Sequence, residues 1–139
     1  MPTFNEKIIR IEECSFSTKD SDHNRYDGYR IITENQTIEI GIYNGQSCCE
    51  QWGYLTSEDD TTIFNNSQLL NISITDTDRS SHNVTENFDY REYSSIFIDI
   101  ETSKGVLQFV AYNNHNGYYG HTVLVQSNKE NNTLIEESI

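Results

Sequence analysis

At 139 residues the chain is long enough for one domain with a buried core. Its net charge of −13, from 22 acidic against 9 basic residues, repels phosphate backbones, and no basic stripe offsets it, which argues against direct nucleic-acid binding. With hydrophobic residues at 35% the core must be compact, while 12% aromatics and several alternating segments exclude wholesale disorder.

Taken in chain order, residues 7–12 alternate partway, and the polar stretch 15–27 is expected to break that strand. Tyr29-Arg30-Ile31-Ile32 resumes extended structure, and Glu34-Asn35-Gln36 suits a tight turn. Residues 37–43 alternate strictly, placing Ile38, Ile40 and Ile42 on one face. Residues 70–75 form a further alternating strand. Segments 66–70 and 86–93 are the places for a helix, although neither carries a full 3.6-residue stripe, and 76–92 reads as a long polar loop. Residues 95–101 and 106–112 flank Thr102-Ser103-Lys104-Gly105, a hairpin in which Gly105 supplies a positive φ. Residues 122–126 are expected to close the sheet, and 128–139 to be a polar tail, frayed or a short helix. The only proline is at position 2, so no strand is interrupted. The expected fold class is mainly β, or α+β with a minor helix. It would be a single antiparallel sheet domain over 1–139, with a core at about 5–127 and long polar loops.

No apolar run approaches the roughly twenty residues needed to cross a membrane, and the N-terminus has no signal-peptide core. Three cysteines do not suggest a disulfide scaffold, and adjacent Cys48 and Cys49 would pair only under strain. These features lead to the expectation of a reducing cytoplasm. Asn-x-Ser/Thr triplets such as Asn35-Gln36-Thr37 are attributable to chance in a chain rich in these residues.

Chemistry concentrates in two segments, Cys48-Cys49-Glu50-Gln51-Trp52-Gly53-Tyr54 and His115-Asn116-Gly117-Tyr118-Tyr119-Gly120-His121. Two thiolates and two imidazoles fill a tetrahedral zinc shell, so Cys48, Cys49, His115 and His121 are the candidate ligands. Gly117 and Gly120 would let that second segment bend and aim both imidazoles at one point. If the backbone at Cys48-Cys49 is extended, only one of the two faces the metal. Glu50 is the nearest carboxylate to complete the shell. Four closed ligands would make zinc a structural staple, the reading favoured here, since small β domains with modest cores often need one. An open position with Glu50 or Glu58-Asp59-Asp60 as base would instead make a zinc-dependent hydrolase. A Cys49 nucleophile with a histidine base is disfavoured by acidic surroundings that raise a thiol pKa. Cys14, His23 and His82 have no companions and read as structural or exposed. The acidic residues form a solvated face or a dock for a basic partner, with Tyr90, Tyr93, Tyr118 and Tyr119 as candidate anchors.

The blocks Cys48-Cys49-Glu50-x-Trp52-Gly53-Tyr54, Ser57-Glu58-Asp59-Asp60, Ile74-Thr75-Asp76-Thr77, Glu101 to Phe109 and Tyr112 to His121 resemble a small family of phage and mobile-element proteins, catalogued mainly as a domain of unknown function. The resemblance spans roughly residues 26–126. Some small acidic members are similar to anti-CRISPR proteins that inhibit type II Cas9 nucleases, one type of which is a metalloprotein. The resemblance implies a non-enzymatic inhibitor stapled by Zn2+, acting in the bacterial host cytoplasm. It implies Cas9 as the partner, bound by protein–protein contact that impedes DNA or guide engagement, with no nucleic acid bound directly and no membrane. An accessory phage domain with no catalytic role is the alternative beside the hydrolase.

Overall fold

β-Branched residues alternating with polar ones favour pleated, half-buried backbone. In the computed structural model, which describes residues 3–18, 21–45, 51–77, 93–114, 120–129 and 132–139, this pattern gives nine strands. They are β1 (Thr3–Thr18), β2 (Ser21–Thr33), β3 (Thr37–Tyr43), β4 (Gln51–Thr56), β5 (Gln68–Thr75), β6 (Tyr93–Thr102), β7 (Gly105–Asn114), β8 (Thr122–Ser127) and β9 (Asn132–Ser138). All pair antiparallel in one sheet of order β4-β7-β6-β5-β1-β2-β3-β8-β9, leaving β4 and β9 as its two edges. The protein is mainly β, as its alternation implies.

The long strand β1 is shared between two halves. Its first residues pair with β5 (Glu6 with Leu69, Lys7 with Gln68), and from Ile8 onward it pairs with β2. A register shift between Ile8 and Arg10 marks the change. Beyond Lys7 the place of β5 is taken by the segment around a single helical turn, Thr61–Phe64, with Asn66 N–H donating to the Ile8 carbonyl and Ile8 N–H to that of Ser67. The sheet folds on itself about this strand: Tyr29 of β2 meets Phe109 of β7 and Tyr54 of β4, at ring centroid distances of 6.4 and 6.0 Å. Between the halves lies an isoleucine-rich core that includes Ile31, Ile38, Ile40, Ile42, Ile72, Ile98 and Ile100. A smaller cluster of Phe16, Tyr26 and Leu124 covers the outer side of β1, β2 and β8.

Four expectations are corrected. Residues 15–27 are not a break: β1 continues to Thr18 and returns as β2, with Phe16 opposite Tyr26 and Ser15 opposite Asp27. The tail is neither frayed nor helical, because residues 132–138 form β9, whose Ile135 sits opposite Val125 and is buried. Residues 122–126 do not close the sheet, since β8 lies between β3 and β9. Of the two places for a helix, 66–70 instead leads into β5 at Gln68; of 86–93, only Tyr93, the first residue of β6, lies within the described residues. The hairpin at 102–105 has the expected form: Gly105 has φ +124° and Thr102 Oγ1 donates to its carbonyl. Of the expected loop 76–92, all but Asp76 and Thr77 lies outside the described residues.

Candidate metal centre and acidic face

Three strand ends meet at one end of the sheet. Gln51, where β4 begins, is opposite Asn114, where β7 ends, and Trp52 is opposite Asn113. The strand ends at Gln51 and Asn114 are therefore side by side. His121, at the start of β8, packs against both strands' neighbours. Its ring stacks on Trp52 with centroids 5.2 Å apart and lies 5.7 Å from Tyr43. Its backbone exchanges two hydrogen bonds with Ile139, whose carbonyl also accepts from Asn113 Nδ2 at 3.1 Å. The flanks of both motif segments thus come together through β-pairing and aromatic packing.

Of the four candidate ligands, Cys48, Cys49 and His115 lie outside the described residues, as do Glu50, Gly117, His82, Tyr90, Tyr118 and Tyr119. His121 is described, and it is 1% exposed. Its Nδ1 lies 2.6 Å from the Tyr43 carbonyl oxygen. A carbonyl can only accept, so Nδ1 carries a proton and is the nitrogen that donates here. Histidines that bind metals are commonly oriented in this way, by donation from the other ring nitrogen to a carbonyl or carboxylate. Trp52, whose role could not be read from its sequence block, is the surface that holds this ring. Gly120 has no positive φ, and a Cβ there would make only ordinary contacts, the nearest 3.6 Å from the Ile139 oxygen. Its conformation does not require glycine. Among the described residues no group of three or more His, Cys, Asp and Glu could hold a metal ion.

Cys14 is half-buried beside the outer cluster; burial pushes its thiol pKa up, opposed only in part by Arg30. Such a thiol is a poor nucleophile. Farther along the inner face, Tyr29 and Tyr54 sit among carboxylates. Tyr54 donates to Glu13 Oε2, and Asp27 accepts from Ser15 Oγ at 2.7 Å and Asn44 Nδ2 at 2.9 Å. Exposed Glu58, Asp59 and Asp60 follow β4 directly, and Asp59 and Glu13 both push the Tyr29 phenol pKa upward after burial has done so. This pair of tyrosines within an acidic rim was not among the anchors suggested by the sequence.

No helix among the described residues is long and apolar enough to cross a membrane. The protein is a mainly β domain built on one antiparallel sheet. It belongs to the family described as a domain of unknown function, DUF7448, whose model matches residues 3–125. No curated protein and no solved structure matches the chain. The expected resemblance to a family of uncharacterised domains holds at this level; phage origin and Cas9 inhibition go beyond it.

Proposed function

We propose that the protein is a non-enzymatic inhibitor of a type II Cas9 nuclease from phage or a mobile element, stapled by a zinc ion held by Cys48, Cys49, His115 and His121. The observation that carries the reading is the buried His121 ring, stacked on Trp52 and oriented by donation from Nδ1 to the Tyr43 carbonyl, as metal-binding histidines commonly are. The donor set of two thiolates and two imidazoles fits zinc, and the paired ends at Gln51 and Asn114 start the other two ligand segments from adjacent positions. Zinc here would supply folding free energy rather than reaction chemistry.

Binding to Cas9 draws support from charge. A chain of net charge −13 complements a positively charged channel that holds an RNA–DNA heteroduplex. Glu13, Asp27 and Asp59, whose charges reach Tyr29 or Tyr54, give this surface the composition of one that docks on a basic protein. The cytoplasm of a bacterial host is where such a contact would occur.

Elemental analysis of the purified protein tests the staple: near-stoichiometric zinc is expected in the wild type and none in His115→Ala or Cys49→Ala. Zinc-free wild type would remove it. Equimolar protein is expected to suppress DNA binding and cleavage by at least one of several Cas9 orthologues, less so at high salt. Unchanged cleavage throughout would remove the Cas9 assignment while leaving the zinc result standing.

A further inference from the structure

At the opposite end of β3 from Tyr43, Gln36 of the β2–β3 turn, Ser127 and Lys129 at the β8–β9 turn, the start of β9 and the start of β1 line an open cleft of about 560 Å³. Its size suits a small molecule. The two turns are locked together: Asn128 N–H donates to the Thr37 carbonyl at 3.0 Å, Thr37 N–H donates to Asn128 Oδ1 at 2.8 Å, and Ser127 Oγ donates to Gln36 Oε1. The cleft is therefore preformed.

Among its lining groups is Glu6, a carboxylate only 6% exposed. It accepts from Thr33 Oγ1 at 2.8 Å, Gln36 Nε2 at 2.7 Å and Asn35 Nδ2 at 3.3 Å. All three donors are neutral. Among the described residues the ion pairs are Arg10–Glu12 and Arg30–Glu39, and neither involves Glu6. A carboxylate has about four acceptor positions, so one remains beside these three bonds, and among the described residues no cation lies within ion-pair distance of it. Lys129, also lining the cleft, is likewise in neither ion pair, and Phe4 and Leu134 supply apolar wall.

We infer that this cleft binds a small zwitterion of amino-acid size. Its ammonium takes the remaining acceptor position of Glu6, its carboxylate meets Lys129, and its side chain lies against Phe4 and Leu134. This site is independent of zinc and of Cas9. A preformed cleft with one carboxylate and one unpaired ammonium matches a ligand carrying both opposite charges.

The test is an amide-shift titration of the full chain with L-leucine, with n-butylamine (ammonium alone) and with isovalerate (carboxylate alone). Leucine is expected to give saturable shifts at Glu6, Gln36, Ser127 and Leu134, with binding at least about tenfold tighter than either half-ligand. Glu6→Gln is expected to weaken leucine by about tenfold or more. Because that variant also loosens the turn, Lys129→Gln, changed at an exposed position, supplies the independent arm and is expected to reduce leucine to the level of butylamine. Absence of saturable cleft shifts up to about 20 mM leucine, equal binding of butylamine, or unchanged binding in Lys129→Gln would each overturn the inference.

Discussion

Gly28 and Gly41 face each other across β2 and β3, and each lies too close to a neighbour for a side chain. A Cβ on Gly41 would stand 2.6 Å from the Asp27 oxygen and 2.9 Å from Phe16 Cε1. On Gly28 it would stand 1.9 Å from the Ile40 oxygen, and backbone cannot yield as a ring can. Gly41→Ala is expected to cost about 1–3 kcal/mol by overpacking, and Gly28→Ala more, to be read as paired urea midpoints. The phenols supply a second prediction. Burial pushes Tyr26, Tyr29 and Tyr54 above their ordinary pKa, Tyr54 the furthest because Glu13 also accepts a hydrogen bond from its phenol and repels the phenolate; burial does the same to the Cys14 thiol. Groups with raised folded-state pKa contribute stability that is complete below their unfolded values and lost as pH rises through the folded ones. Stability should hold near neutrality and fall from about pH 9 upward, where the unfolded chain releases protons the fold retains. Tyr54→Phe should make that alkaline fall shallower in denaturation midpoints taken across pH.

Strands whose apolar residues keep one face were legible at the level of the element. Ile38, Ile40 and Ile42 in β3, and Ile96, Ile98 and Ile100 in β6, alternate without a slip, and all are buried. The end of β1 and the first half of β2 were not legible, although residues 7–12 were, because the hydrophobic phase changes along them. Ile8 and Ile11 both enter the core across the register shift, whereas Phe16 and Tyr26 pack in the separate cluster on the other face. A period-2 reading has nothing to follow through such a change. β9 was missed because an edge strand needs few apolar residues, and here one of them, Ile135, is buried in the core. Ile135→Ala is therefore expected to destabilise by about 2–4 kcal/mol in chemical denaturation, where a frayed tail would give almost no change. The metal candidates were chosen from residue type. What that choice could not reveal was the partner that sets the His121 ring, since Trp52 and Tyr43 reach it only through the pairing of distant strands. Glu6 was invisible for the same reason: nothing near it in sequence marks a lone glutamate as buried by two turns.

Across the whole molecule, β3 and β8 join two unlike ends. Tyr43 and His121 occupy one, and the cleft around Gln36 and Ser127 the other, about 20 Å away at the rise of six residues of strand. Ligands at the two ends would share no side chain, so their effects on stability should add unless the strands themselves shift. The edges of the sheet differ as well. β9 carries exposed Glu136 and Glu137, whereas β4, Gln-Trp-Gly-Tyr-Leu-Thr, has no charged residue. Edge strands invite pairing between copies, and charges along them are a common defence. For β4, which carries none, repulsion between bodies each carrying −13 supplies such a defence. Salt screens this repulsion within about 10 Å at 0.1 M. The colloidal behaviour of the protein is thus tied to ionic strength: dilute buffer keeps the uncharged edge apart from other copies, and concentrated salt weakens that repulsion.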